Sequence, residues 1–365
     1  MFIVTNRRVT ESRSDLKAFG GKPNPEGANE LRMAEAKRSR GKWKIDILPD
    51  TITPAMADEV GVSLRAREKV YASQYVVRRI LARVNPKLAG KTGKGRNLVL
   101  FVHGFNNDLE AALDRAANFE RTYGVEVLVF SWPANGGGVR GVASYLSDKR
   151  DARASVGALD RVLAKLNEAL LGIHQEHEAR VTKIADTKFG DDAEGWDQFY
   201  SDEANKWCPF ALTLVLHSMG NYLFKCLLSS SVYRAQNLIF DNVVLVAADA
   251  NNDDHASWVE KIPARKRVLI TINEDDIALR ASRLKMGELQ KARLGHHLFG
   301  LNASNAVYVN FTNAKEVGSS HGYFEGKPTK NPQVKAFFKA ALNGREAETL
   351  LKLPYNSARN LYEVS

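Results

Sequence analysis

In the stretch VLHSMGNY (215–222), Ser218 stands between a run of apolar residues and a Met-Gly pair, a setting that could make it a nucleophile. A sharp strand-to-helix turn of the pattern G-x-S-x-G exposes a serine hydroxyl for attack on a carbonyl carbon. Here Gly220 fills the second glycine position, while Leu216 occupies the first. A hydroxyl attacks poorly until a base takes its proton and a third group orients that base. Ser218 can therefore act only if the chain also supplies a histidine, a carboxylate and two N–H donors for an oxyanion.

Each of these has a candidate. The backbone N–H of Met219 opens the helix expected after Ser218, where the helix dipole favours developing negative charge. A second donor should come from the loop after an earlier strand. VLFVHGFNN (99–107) fits: the strand runs into His103-Gly104, Gly104 permits a sharp turn, and the Phe105 N–H follows it. His103 itself reads as a loop-bracing residue. The base is assigned to His321 in GSSHGYF, one loop beyond the last expected strand. The acid has two possible sources: Asp249, Asp253 and Asp254 in AADANNDD, or Glu274, Asp275 and Asp276 in NEDDIAL. Either gives the order serine, acid, histidine.

These residues need a scaffold. Apolar runs at 97–102, 125–132, 211–218, 242–250, 267–273 and 305–312 alternate with stretches of helical spacing. Strands with so few polar interruptions belong to a parallel sheet covered on both faces. Upstream, 2–6 and 42–48 read as strands, 11–30 as a loop, and 62–84 as an amphipathic helix followed by a basic connector. One long helix is expected from Ser144 to about His174, and another over 331–342. Residues 175–208 read as a polar insertion at the sheet end opposite the active face, and 343–365 as a tail. Residues 1–96 are expected to join the 97–342 core in one domain.

Composition is that of a globular protein, 44% hydrophobic and 26% charged. MFIVTNRR is too short an apolar run for a secretory signal, and no later run spans a bilayer. Cys208 and Cys226 offer neither a disulfide framework nor metal-ligand spacing, so a cytoplasmic location is expected. The net charge of +10 arises from residues 1–100, which hold 21 Lys and Arg against 10 Asp and Glu. A solvated face accounts for that charge; nucleic acid is disfavoured because no binding motif accompanies it. An anionic membrane surface is a second use for it, through Arg65, Arg78, Arg79 and Arg83.

Taken together, VHGFNN (102–107), FSWPANG (130–136), YLSDKRDARAS (145–155), LHSMGN (216–221), EDDIALRAS (274–282) and SHGYF (320–324) resemble a bacterial α/β-hydrolase family of uncharacterised, esterase-like serine hydrolases. The resemblance covers about 97–342. It implies an α/β-hydrolase fold, a mostly parallel sheet with helices on both faces. It also implies Ser218 as nucleophile, Asp276 as acid, His321 as base, and Phe105 and Met219 as oxyanion donors. No cofactor or metal is implied, and the substrate would be a small-molecule or lipid ester. Two residues depart from the pattern: Leu216, where a small residue is usual, and Gly322, where a small hydroxyl residue is expected. The alternative is a silent scaffold that binds a partner through its basic N-terminal third and the 175–208 insertion.

Overall fold

The computed structural model describes residues 1–62, 64, 69–86, 92–134, 145–204, 210–230, 238–283 and 291–365. The N-terminal part supplies β1 (Phe2–Thr5), β2 (Arg7–Val9), β3 (Phe19–Pro23), β4 (Arg32–Ser39), β5 (Lys42–Ile47), α1 (Pro54–Glu59) and α2 (Ala72–Val84). The central part follows as β6 (Leu98–Val102), α3 (Leu109–Tyr123), β7 (Glu126–Ser131), α4 (Tyr145–Ala154), α5 (Val156–Phe189) and α6 (Ala193–Ala204). Then come β8 (Leu212–His217), α7 (Met219–Leu228), β9 (Asn242–Val246), α8 (Ala256–Val259), β10 (Arg267–Ile272), α9 (Ile277–Arg283) and β11 (Ala306–Asn310). The chain closes with α10 (Pro332–Leu342), α11 (Ala347–Leu350), β12 (Tyr355–Asn356) and β13 (Leu361–Glu363).

Among the described residues, eleven strands form one sheet in the order β12-β13-β11-β10-β9-β8-β6-β7-β1-β4-β5. From β13 through β1 every neighbouring pair is parallel; the pairs β1–β4, β4–β5 and β12–β13 at the two edges are antiparallel. Because side chains alternate along a strand, β6 sends Leu98, Leu100 and Val102 into one apolar cluster and Val99 and Phe101 into the other. Residues of α2, α5 and α7 fill the first cluster; residues of α3 and α10 fill the second. Both faces are covered, which is why these strands carry uninterrupted apolar sequence.

The topology also fixes where a ligand can go. From β6 the chain passes through α3 to β7 on one side, then returns to β8 on the other. Two parallel neighbours whose following connections diverge leave a crevice beyond their carboxyl ends. The ends of β6 and β8 carry His103 and Ser218.

Several expected boundaries shift. The loop expected over 11–30 contains β3, which pairs with β2, and β4 falls between the two strands read from the sequence. Residues 63 and 65–68, including Arg65, lie outside the described residues, and the expected 62–84 helix begins only at Ala72. The single helix expected from Ser144, a residue outside those described, is two: Ser155, buried and bonded through Oγ to the Asp151 carbonyl (2.7 Å) and the Asn6 amide (2.9 Å), divides α4 from α5. The polar insertion is helical through Ala204. At about 1.5 Å per residue, the 34 residues of α5 run to roughly 50 Å, well beyond a six-residue strand. Its distal half is braced by α6 through Phe189 against Phe199 (5.7 Å) and Trp196 Nε1–H to Asp186 (2.8 Å). Residues 343–365 are no tail: β13 pairs with β11, and Leu361 and Val364 are buried. Among the described residues, no helix is long and apolar enough to cross a membrane.

Candidate active site

Ser218 sits at the turn between β8 and α7 with φ 55° and ψ −121°, a conformation that costs a non-glycine residue about 1–3 kcal/mol. Neighbouring groups hold it there. Its N–H donates to the Val246 carbonyl (3.0 Å), and its carbonyl accepts from the N–H groups of Asn221 (3.1 Å) and Asp249 (3.2 Å). The Asn221 side-chain amide donates to the carbonyls of both Leu216 and Ser218 (3.0 Å each). Leu216 is fully buried and shares its apolar cluster with Ala248, whereas Ala247 belongs to the opposite cluster.

Two glycines allow the β6 end to close on this turn. A Cβ on Gly104 would lie 2.5 Å from Ser218 Cβ and 2.9 Å from the His217 carbonyl oxygen. A Cβ on Gly220 would meet the carbonyl oxygens of Val102 (2.8 Å) and His103 (2.9 Å). The loop carrying Phe105 thus lies directly on Ser218, which is followed by the buried Met219 at the start of α7. Asn107 braces this loop by donating to the carbonyls of Gly104 (3.2 Å) and Phe105 (2.8 Å), and the Phe105 ring packs edge-on against Tyr145 (5.3 Å). Gly104→Ala is expected to push the loop off Ser218. Since misplacement by about 1 Å can cost 10²-fold, turnover per folded molecule should fall by at least that factor, alongside a stability loss of about 1–3 kcal/mol from overpacking against the His217 carbonyl. Full activity in that variant would mean that the loop does not meet the reacting atoms.

His103 is fully buried, stacked on Trp132 (5.3 Å) and bonded to Ser131 Oγ (3.3 Å) and its neighbour's carbonyl (3.0 Å). Burial, with Arg7 nearby, drives its pKa down to about 3. His217 is also fully buried, and burial pushes its pKa well below the ordinary value. Both rings are neutral in the fold and protonate in the unfolded chain below about pH 6.5. Their stabilising effect is complete above that pH and shrinks as pH falls toward the folded value, by about 1.4 kcal/mol per unit for each ring. Denaturant unfolding at about pH 7.5 and pH 5 should therefore show a loss of at least about 2 kcal/mol. Equal stabilities would contradict neutral burial.

The structure brings two of the distant candidates together. His321 Nδ1 lies 2.7 Å from Asp276 Oδ2, with Asp276 fully buried. A carboxylate only accepts, so Nδ1 carries a proton toward Asp276, and in the neutral ring the lone pair lies on Nε2. The other Asp276 oxygen accepts the Leu279 N–H (3.0 Å) at the start of α9. The loop before His321 is fixed by Asn273, whose side chain donates to the carbonyls of Gly318 (2.9 Å) and Ser320 (3.1 Å). After His321, Tyr323 and Phe324 anchor the chain in the core. Among the described residues no hydrogen bond joins Ser218 Oγ to the His321 ring. His321 is instead held through its backbone, whose carbonyl faces His217 Nε2 at 3.2 Å. Catalytic hydrogen bonds in ligand-free sites are often loose and tighten around substrate.

Two of the other candidate carboxylates are engaged elsewhere. Asp249 pairs with the buried Arg293 (3.1 Å) and accepts from Tyr145 (3.0 Å), and Asp253 pairs with Lys291. Asp275 is exposed. Of the arginines on α2, Arg79 and Arg83 both bind Glu35, with Glu59 and Glu126 completing the network, and Arg78 pairs with Glu176. Among the described residues, no group of three or more His, Cys, Asp or Glu is placed to hold a metal ion.

A parallel sheet wound in both directions, with a strained serine elbow at its switch point and an acid–histidine pair on later loops, defines an α/β-hydrolase architecture. Residues 82–174 and 201–336 match the family model described as alpha/beta hydrolase of unknown function (DUF900), and the chain belongs to that family. The unmatched interval, 175–200, coincides with the distal half of α5 and most of α6. Neither the curated proteins nor the solved structures gave a match.

Proposed function

We propose that this hydrolase cleaves carboxylic esters, lipid esters among them, through an acyl-enzyme formed on Ser218. His321 takes the serine proton through Nε2 and passes it to the leaving alkoxide, while Asp276 holds the imidazole in the required tautomer. The N–H groups of Met219 and Phe105 receive the oxyanion. A water then attacks the acyl-enzyme by the same route and releases the acid. The observation carrying this reading is the 2.7 Å Asp276–His321 contact, with the His321 carbonyl facing His217, the residue before the strained Ser218. No step calls for a cofactor.

Arg79 and Arg83 have their charge compensated by buried or half-exposed carboxylates, so an anionic lipid surface would gain little from them. A soluble-ester reading is therefore favoured over one that depends on interfacial attraction. A panel of nitrophenyl esters and phospholipids, run beside Ser218→Ala, tests the proposal. It predicts Ser218-dependent turnover of at least one ester; a panel turned over equally by both proteins would exclude it.

A further inference from the structure

Behind the candidate base lies a polar chain that ester chemistry does not itself require. Arg115 projects from α3. Its Nη1 lies 3.0 Å from His217 Nδ1, and its Nε lies 3.0 Å from Glu325 Oε1. His217 Nε2 faces the His321 carbonyl oxygen at 3.2 Å, and the two rings lie 4.7 Å apart. The chemistry of the outer partners leaves His217 one arrangement. A guanidinium only donates, so Nδ1 must be the acceptor; a backbone carbonyl only accepts, so Nε2 must carry the hydrogen. A protonated His217 would point an Nδ1–H at the Arg115 cation.

We infer that Arg115 and His217 form a positioning relay for His321: Arg115 locks His217 as the neutral Nε2–H tautomer, and that hydrogen fixes the base's backbone relative to the neighbouring Ser218. This rests on the hydrolase reading above. Glu325 aims the guanidinium, and Gly322 leaves it room, since a Cβ at 322 would lie 2.9 Å from Glu325 Oε1. The relay also keeps a second positive charge away from His321 when its ring becomes imidazolium during turnover. Burial and the adjacent Arg115 cation both act against protonation of His217.

The test combines histidine side-chain ¹⁵N spectra with kinetics on the full chain. In the wild type, the resonance lost in His217→Gln should show a protonated Nε2, an unprotonated Nδ1 and no titration between about pH 5 and 9. In Arg115→Leu that resonance should change tautomer or begin to titrate, and kcat should fall by about 10²-fold at unchanged KM. His217→Gln retains a donor and an acceptor and should keep more kcat than His217→Leu. A His217 signal unaltered by loss of Arg115, or equal kcat in the Gln and Leu variants, would overturn the relay. The spectra need no ester turnover, so failure of the relay and failure of the hydrolase proposal give different results.

Discussion

Ser218→Ala is expected to lower ester turnover by about 10⁶-fold, the scale of losing the nucleophile from well-studied serine triads. The effect should be confined to chemistry. Ser218 contributes its backbone to the elbow through Val246, Asn221 and Asp249, and alanine keeps every one of those contacts. Circular dichroism and the unfolding midpoint should therefore stay close to those of the wild type. Residual turnover within about tenfold would move the reacting hydroxyl to another residue.

Asp276→Asn is the second large effect, a loss on the order of 10⁴-fold in kcat. Asparagine can still accept the Leu279 N–H, so α9 should keep its start. Toward His321, however, its amide would offer a donor. The ring would then turn its lone pair to the acid side and present an Nε2–H to the serine, where it cannot take a proton. Asp249→Asn should behave in the opposite way. It removes the negative charge that compensates a buried arginine, so it should cost stability, up to about 3–5 kcal/mol, with a far smaller loss of turnover per folded molecule. If Asp249→Asn were the catalytic lesion and Asp276→Asn the structural one, the acid would lie one strand earlier.

The central sheet was legible because its strands are buried on both faces, leaving apolar runs such as LVLFV and NVVLV with no polar alternation to confuse them. The edges were not. In β4, RMAEAKRS, the buried Glu35 is compensated by Lys37 two residues on and by Arg79 and Arg83 from a helix some 40 residues later, and only the first of these is local. β12 and β13 have two and three residues, too few for periodicity to register. The α5–α6 hairpin looked like a loop because α6 buries no residue completely and is held by ring contacts with α5.

The candidate site divides in the same way. Ser218 and His321 could be picked out by residue type and setting. Asp276 could not be separated from its neighbours in NEDD without the resemblance, because what distinguishes it in space is burial beside His321, 45 residues away. Arg115, His217, Asn221 and Asn273 escaped the sequence reading altogether. Arg115, His217 and Asn273 bond across large sequence separations; Asn221 acts on the elbow's own carbonyls, and its local signal, an asparagine three residues after the serine, was within reach.

The central claim is that Ser218 is an activated nucleophile, and one measurement addresses it without any choice of substrate. A fluorophosphonate reacts with a serine only where a base withdraws its proton. After the wild-type protein is incubated with such a probe and digested, mass spectrometry of the peptides should find a single stoichiometric adduct, on Ser218. An unmodified Ser218, or label spread over other serines at equal yield, would contradict the account.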